Sequence, residues 1–251
     1  GHFTTNLHTS YWIAGFAREI HMENLKVVFF HLLFSLNLFA QEYSISLWGI
    51  HIADVSMKNK DDEIRFSAQS RGIVDFLWPT NNTYSARYDS ENYSLKSWEK
   101  TIYQGNNRSS LSGKIDSSGH IIYDDRKIHT QTPTHNVFTM LAMASEKEKD
   151  ELDTKWFEFE HEGNMGKARF LWSETSNVLI EKDSVLCDHF RFDIIINDTT
   201  HNIKNSDYFM NNIISPTGVR ELWISTSEPR QIVLAKYQFD FFTLVGQIID
   251  D

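Results

Sequence analysis

Apolar and polar residues alternate along most of the chain beyond residue 41. Tyr43, Ile45 and Leu47 alternate with serines, and the segments Ile64–Ala68 and Phe190–Ile196 repeat the pattern. Because successive side chains of a strand point to opposite faces, this alternation predicts strands with one buried face. Further runs of the same kind are Tyr93–Tyr103, His120–Tyr123, Trp156–Phe159, Lys167–Trp172, Glu221–Ser225, Gln231–Phe239 and Phe241–Ile248.

One segment has a different period. After Thr132-Pro133, the apolar residues Val137, Leu141 and Ala144 recur at helical intervals. A threonine followed by proline is typical of the start of a helix, so Thr132 is the expected cap. The spacing therefore predicts one helix near 133–149.

The predicted helix separates two groups of strands, about 43–128 and about 155–249. The polar turns between strands are short, which suits antiparallel meanders better than βαβ units, because those need longer crossovers. The predicted fold class is therefore mainly β: a large curved antiparallel sheet, half-barrel or barrel-like, with one crossing helix near 133–149. Two packed subdomains are the alternative arrangement.

An apolar run of about 13 residues follows the polar segment that begins at Met22. This length matches the apolar region of a secretory signal and is too short to span a bilayer. A small residue, Ala40, stands where a signal peptidase would cut. We therefore expect an upstream extension or cloning remnant over 1–21, a signal peptide over 22–40, and a single β-rich domain over 41–251. A buried core helix is the alternative for the apolar run.

A cleaved signal peptide implies export. We accordingly expect the protein in the periplasm or outer envelope of a Gram-negative bacterium, with no transmembrane span in the mature chain. The chain contains one cysteine, Cys187, which excludes an internal disulfide and a cysteine-based zinc site. The run Val185-Leu186-Cys187 is typical of a strand interior, so we expect this thiol to be buried.

Charge narrows the possible partners. Lysine and arginine number 24 against 34 acidic residues, and the net charge is −10. Such a chain has no electrostatic attraction for a nucleic-acid backbone, so no nucleic-acid partner is expected.

No strong catalytic motif occurs in the sequence. G-x-S-x-G, H-E-x-x-H, a P-loop and G-x-G-x-x-G are all absent, and the histidines after residue 41 form no H-x-H or H-x-x-x-H pair. Ser97-Trp98-Glu99-Lys100 matches the S-x-x-K pattern of serine acyl enzymes, but the accompanying K-T-G element is missing. We therefore expect no catalytic residue, no metal site and no cofactor.

Aromatic residues make up 14% of the chain. One explanation of this high content is structural, because aromatic residues favour strands and fill cores. The other explanation is functional: the aromatic residues line a concavity for an acyl chain or form a stacking surface for sugars. On that account the candidate ligand-binding residues are Trp48, Trp78, Tyr84, Trp98, Trp172 and Trp223. Among these, Trp78 stands at a transition from strand to loop and is expected nearest the rim of the concavity.

Several segments in this order resemble an exported bacterial family known only as domain of unknown function 3108. Glu42–Ile50 resembles its first strand, and Ser70–Pro79 resembles its second landmark. Later landmarks correspond to Gly166-Lys167, the strand around Cys187, and Leu222–Ser225. The resemblance implies export and a β-rich fold with a large antiparallel sheet. It implies no catalytic residues, because the family has no established activity.

This chain departs from the family pattern around the central helix. Where that pattern has an aspartate, a serine and a closing arginine, the sequence has Asn136, Thr139 and Ser145. An acid–arginine pair at those positions is therefore not available here.

Three functions are compatible with the sequence. The first is a non-catalytic envelope protein whose curved sheet binds an apolar or glycan-like ligand, such as a lipid or a glycan, or an envelope partner protein. The second is an extracytoplasmic hydrolase of cell-envelope polysaccharide with carboxylates that the sequence does not identify. The third is a structural or assembly protein without a ligand pocket, whose strand edges pair with another protein. A hollow concave face would distinguish the first from the third.

Overall fold

The structure is a computed structural model that describes residues 40–124, 126–197 and 207–249. The predicted extension and signal peptide lie outside these residues, except for Ala40, which begins the first strand. All described residues belong to one contact unit, Ala40–Asp251.

Most of the described chain is extended. The strands are β1 (Ala40–Leu47), β2 (Ile50–Lys60), β3 (Glu63–Ser70), β4 (Asn81–Tyr88), β5 (Leu95–Gln104), β6 (Asn107–Ile115), β7 (His120–Tyr123), β8 (Arg126–His129), β9 (Thr134–His135), β10 (Trp156–His161), β11 (Asn164–Ile180), β12 (Asp183–Ile196), β13 (Val219–Ser225), β14 (Ile232–Phe239) and β15 (Phe242–Ile249). The helices are α1 (Gly72–Leu77), α2 (Val137–Glu146), α3 (Lys149–Leu152) and α4 (Tyr208–Ile214).

One sheet contains all of these strands, in the order β8-β7-β6-β5-β4-β3-β2-β1-β15-β14-β13-β12-β11-β10-β9. Strands β1–β8 form one antiparallel meander and β10–β15 form another, while the short β9 precedes α2 in the chain but lies beside β10. The two meanders join where β1 pairs with β15, with Tyr43 opposite Ile248. Only the short β9 runs parallel to its neighbour, β10, within the described chain. The prediction of a large antiparallel sheet built from two strand groups is confirmed.

The sheet curves until its two ends approach each other. The hydroxyl of Tyr123 on β7 donates to the carboxylate of Glu160 on β10 at 2.7 Å, although these strands are second and fourteenth in the sheet order. Neighbouring strands lie about 4.8 Å apart, so a flat sheet would separate the two by roughly 58 Å. The curvature predicted from the sequence is therefore confirmed. No pairing between described residues joins β8 to β9, and the sheet stays open there.

Helix α2 lies against the inner face of the curved sheet. Its residues are apolar on all sides and most are buried, as is typical of an enclosed helix. The ring of Phe138 packs against Phe66 at 5.4 Å and against Tyr84 at 5.1 Å. None of the helices in the described ranges has the length and apolarity that crossing a bilayer would take.

The crossing helix near 133–149 is confirmed, but its expected start is wrong. The helix begins at Val137, because residues 134 and 135 form β9 instead. Asn136 is the cap: its side chain accepts from the Thr139 amide at 3.0 Å, and the Thr139 hydroxyl accepts from the Asn136 amide at 3.1 Å. This reciprocal pair is a capping box, which fixes the start of the helix more firmly than Thr132 does.

Candidate functional site

A cavity of about 280 Å³ lies between the inner face of the sheet and helices α2 and α4. Strands from both meanders form its wall. The wall is almost entirely apolar and includes Ile45, Val55, Phe66, Ala68, Phe192, Leu222, Ala235 and Leu244 from the sheet, with Val137, Phe138 and Leu141 from α2 and Phe209 and Ile213 from α4.

Small residues on the inner face keep this space open. Ala235 faces Gly246 across the β14–β15 pair, and Gly246 in turn faces Ile45 of β1. A Cβ atom on Gly246 would lie 2.9 Å from the Ile45 Cδ1 atom, so a larger residue would begin to fill the cavity. Helix α2 fills the part of the concavity lined by fully buried side chains such as Ile64 and Ile102, whereas Ile45 stays half-buried. The cavity is the part of the concavity that α2 borders but does not fill.

Polar and charged residues also line the cavity on both sides: Gln69, Ser70, Thr80, Asn82 and Tyr84 on one, and Arg220, Glu221, Lys236 and Tyr237 on the other. Asn82 and Tyr84 of β4 line one side, and their side chains hydrogen-bond each other at 3.2 Å. Arg220 of β13 lines the other side and is 6% exposed. These groups are suited to orient a ligand whose remaining surface is apolar.

A cluster of charges lies directly behind Tyr84. The Tyr84 hydroxyl donates to the Asp207 carboxylate at 3.1 Å, and the Lys100 ammonium contacts the same carboxylate at 3.3 Å. Lys100 also donates to Glu162. We call Lys100, Glu162 and Asp207 the interior charge cluster. Burial raises the pKa of Glu162, while the adjacent Lys100 ammonium lowers it. Burial and the neighbouring Asp207 carboxylate raise the pKa of Tyr84.

A third buried acid, Glu160, lies beside the interior charge cluster. Glu160 accepts hydrogen bonds from the Tyr123 hydroxyl at 2.7 Å and from the Gly163 amide at 3.2 Å, and its other oxygen has no hydrogen-bond partner. Burial raises the pKa of Glu160 to about 7. Burial also lowers the pKa of the adjacent His161 to about 3, with the Lys100 charge acting in the same direction. At neutral pH His161 is therefore uncharged.

The buried carboxylates of this region are poorly suited to hydrolysis. The two carboxylates of the interior charge cluster are occupied by Lys100, and Glu160 is enclosed beneath Tyr123 and Gly163. Ser97 and Lys100 of the S-x-x-K match are three residues apart on a strand, and they therefore point to opposite faces of β5. No group of three or more potential metal ligands occurs in ranges 40–124, 126–197 and 207–249.

The six aromatic residues proposed from the sequence do not converge on one site. Tyr84 lines the cavity. Trp98 is buried behind it, where its indole nitrogen donates to the Tyr123 hydroxyl at 2.7 Å. Trp223 lies on the opposite face of the sheet, stacked on His189 with ring centroids 4.0 Å apart.

The other three aromatic residues are exposed. Trp48 stacks on Phe242 at 5.3 Å, and Trp78 covers Gly105 at the same end of the sheet. Trp172 lies elsewhere, beneath the Lys149 ammonium at 4.8 Å from the ring centroid. A ligand-binding role for any of the six remains a prediction.

Sequence reasoning did not predict the interior positions of Lys100, Asp207 and Arg220, and it considered Lys100 only as part of the S-x-x-K match. A signal for two of them is present: Lys100 alternates with the apolar Trp98 and Ile102, and Arg220 alternates in the same way with Leu222. A charged residue in the buried phase of a strand is a sign of an interior site. Asp207 carries no such signal, because it caps a short helix after a connection between strands.

No protein-family model matches the sequence, and no curated protein matches it. The specific resemblance to domain of unknown function 3108 is therefore without support from a family match. The fold is similar to the solved structure of a "beta-barrel-like protein of domain of unknown function DUF1849" from Brucella abortus, with a TM-score of 0.51 and 9% sequence identity over 84% of this chain and 95% of that chain. At this identity the likeness shows the fold alone, a mainly β, barrel-like fold present in a bacterial protein of unknown function.

Proposed function

We propose that this protein binds an apolar ligand, such as the acyl chain of a lipid, in the cavity of its curved sheet. The observation that supports the proposal is a cavity of about 280 Å³ whose wall is almost entirely apolar. Apolar surface transferred from water into such a site gains about 25 cal/mol per Å², so a slender hydrocarbon is the favoured occupant. The volume is near the lower end of small-molecule sites, which are roughly 300–1,000 Å³.

The positions of the aromatic residues favour an apolar ligand over a glycan. A stacking surface for sugars needs several rings side by side on one accessible face. Trp98 is buried, whereas Trp48 and Trp172 are exposed on different elements. The cavity is a better candidate for the ligand site than an aromatic stacking surface, because its aliphatic and aromatic side chains face one shared space.

The expected signal peptide over 22–40 supports a location in the periplasm or outer envelope. The resemblance to domain of unknown function 3108 supports the same location. In such an aqueous compartment an apolar molecule needs a protein that shields it from water, which is the role we propose for this sheet.

Binding of a neutral fluorescent apolar probe, N-phenyl-1-naphthylamine, to the purified protein tests the proposal. Ala235→Trp fills the cavity from the sheet side, and we expect it to weaken probe binding at least tenfold. Leu179→Trp is the matched control, because Leu179 is 67% exposed and does not line the cavity. Equal binding by the wild type and Ala235→Trp, with both folded by circular dichroism, would show that the cavity is not the site.

A further inference from the structure

We infer that the ligand carries one anionic headgroup and that Arg220 receives it, an inference that rests on the proposed apolar cavity. Arg220 belongs to the inner face of β13, in phase with Leu222, and pairs in register with Tyr237 of β14. Both neighbours line the same cavity. The guanidinium group is therefore at the wall of an apolar space, where a headgroup attached to a buried chain would lie.

The Arg220 guanidinium hydrogen-bonds backbone carbonyls, and it forms no ion pair with an acid in the described ranges. Its Nη1 donates to the Gly218 carbonyl, its Nη2 donates to the Ser215 carbonyl at 2.8 Å, and its buried Nε has no hydrogen-bond partner. No carboxylate of the described chain lies within ion-pair distance of it. Lys100, the other enclosed cation near the cavity, contacts two carboxylates.

A buried cation without a counter-ion is unfavourable, and the two backbone carbonyls replace only part of the hydration that burial removes from Arg220. Burial accordingly lowers the pKa of Arg220, although arginine stays protonated at neutral pH. An anion from the ligand would supply the missing partner. The planar guanidinium group suits carboxylates and phosphates, and both are headgroups of single-chain lipids.

Ligands that share one chain length test this inference. Hexadecanoate, hexadecyl phosphate and hexadecanol are each used to displace N-phenyl-1-naphthylamine from the wild type, from Arg220→Gln and from Arg191→Gln. Arg191 is the matched control because it is an exposed arginine on the neighbouring strand. We expect at least one acidic ligand to displace the probe at a tenfold lower concentration than the alcohol does, in the wild type and in the control.

In Arg220→Gln we expect probe binding to persist while the preference for the acid disappears. The acid that binds more tightly distinguishes a carboxylate headgroup from a phosphate. If Arg220→Gln does not fold, Arg220→Lys replaces it and should lower the preference at least threefold. An unchanged preference in the folded variant, or wild-type protein that binds the probe without any preference, would overturn the inference alone. Failure of the wild type to bind the probe would overturn the proposed function as well.

A different observation concerns the end of the sheet next to the cavity. Large apolar side chains are exposed there on separate connections, and Phe241 and Phe76 are 90% and 85% exposed. We call this set the apolar rim: Trp48 and Ile50 at the β1–β2 turn, Ile73, Phe76, Leu77 and Trp78 in and after α1, and Phe241 and Phe242 at the β14–β15 turn. Val74 of α1 lines the cavity, so the rim and the cavity are adjacent.

The opposite ends of the same strands carry acidic turns. Asp61 and Asp62 form the β2–β3 turn, Asp89 follows β4, and Glu181 begins the β11–β12 turn. Asp61 pairs with Lys60 at 3.7 Å and Asp89 with Lys96 at 3.2 Å, so within this unit one end is apolar and the other is charged. A molecule with this polarity would meet a lipid surface with its apolar end, because the charged end is strongly hydrated.

The geometry points to a phospholipid bilayer surface as the partner of the apolar rim. Tryptophan and phenylalanine on loop tips are typical of residues that insert at a membrane–water interface. The residues of the apolar rim belong to different connections. A fluid bilayer can accommodate such separated side chains, because it needs no surface of matching shape. A lipid ligand would also enter the adjacent cavity directly from such a surface.

Flotation with phosphatidylcholine vesicles tests this second proposal. The double variant Trp48→Ser, Phe241→Ser should float at least tenfold less than the wild type. Leu179→Ser, which removes an equally exposed apolar residue next to the acidic β11–β12 turn, should float like the wild type. Equal flotation of the double variant and the wild type would overturn the proposal. So would wild-type protein that ignores vesicles and instead self-associates, or binds a protein, through the rim.

Discussion

Lys100 shows how one buried cation determines the interior of this protein. Its side chain is fully buried and contacts both Glu162 and Asp207, which come from segments far apart in the sequence. Because Asp207 also accepts from Tyr84, the ion pairs position a residue of the cavity wall. A single substitution at Lys100 therefore affects the fold and the candidate site together.

Lys100→Met should lower the free energy of unfolding by about 3–5 kcal/mol, because it leaves two buried carboxylates without a cation. Urea unfolding at pH 7 measures the change. Lys96→Met is the control on the same strand: its ammonium pairs with Asp89 at 3.2 Å in an exposed position, where such a pair contributes about 1 kcal/mol or less. Similar losses in the two variants would contradict a dominant role for the interior charge cluster.

Glu160 predicts a pH dependence of stability. Burial raises its pKa from 4.5 to about 7, so between these pH values the folded protein holds a proton that the unfolded chain has lost. The contribution of Glu160 to stability is therefore present at pH 4.5 and falls as the pH rises through 7. When the pH is raised from 5 to 7.5, the free energy of unfolding of Glu160→Gln should increase by about 2–3 kcal/mol relative to that of the wild type.

Urea unfolding at the two pH values measures this relative gain. The low pKa of His161 makes an opposite contribution below about pH 6.5, and it cancels in the comparison because both proteins contain it. Glu158→Gln, a half-buried acid on the same strand, is the control and should show no relative gain. An identical pH profile for Glu160→Gln and the wild type would mean that Glu160 titrates normally.

At the scale of elements, the start of α2 depends on two side chains. Asn136 and Thr139 satisfy each other's backbone amides in a capping box. A capping box satisfies backbone amides that the start of a helix otherwise leaves unpaired, so these two side chains fix where α2 begins.

Asn136→Ala should lower the free energy of unfolding by about 1–2 kcal/mol, because a buried amide at the start of α2 loses its acceptor. Thermal or urea unfolding measures the effect. Asn177→Ala, an exposed substitution in β11, should change stability by less than about 0.5 kcal/mol. A loss at Asn136 no greater than at Asn177 would show that the capping box is dispensable.

The sequence predicted strands best where one face is strongly apolar. It identified β1, β3 and β12, but it did not single out β4 or β6. In β6, Asn107–Ile115, most residues are serine or charged, and the inward phase includes Gly113, whose absent side chain makes room for Tyr123. Pairing with the neighbouring strands stabilises such a strand, whose own sequence lacks a clear alternation of apolar and polar residues. A search for alternation therefore does not identify it.

At the scale of the whole molecule, strand alternation predicted a curved sheet but not how it joins. The pairing of β1 with β15 brings together residues about two hundred positions apart, and no local pattern encodes it. The cavity was also beyond prediction, because it depends on which inner residues α2 fails to cover. The contribution of small residues such as Ala235 and Gly246 to the cavity cannot be predicted from the sequence, because it depends on their facing the same space in the fold.

The approach of the two sheet ends depends on Tyr123, and this gives a prediction for the whole fold. Its hydroxyl accepts from Trp98 and donates to Glu160 on the far end of the sheet. Tyr123→Phe leaves the buried Trp98 indole without an acceptor and leaves Glu160 with the Gly163 amide as its donor, which should lower the free energy of unfolding by about 1–3 kcal/mol. We expect faster amide hydrogen exchange in β7 and β10 and unchanged exchange in β1 and β15. Tyr43→Phe is the control, since the buried Tyr43 hydroxyl donates to Gln41 on its own strand, a hydrogen bond that does not join distant strands. Uniformly faster exchange in all strands would mean that the two ends of the sheet do not open independently of its centre.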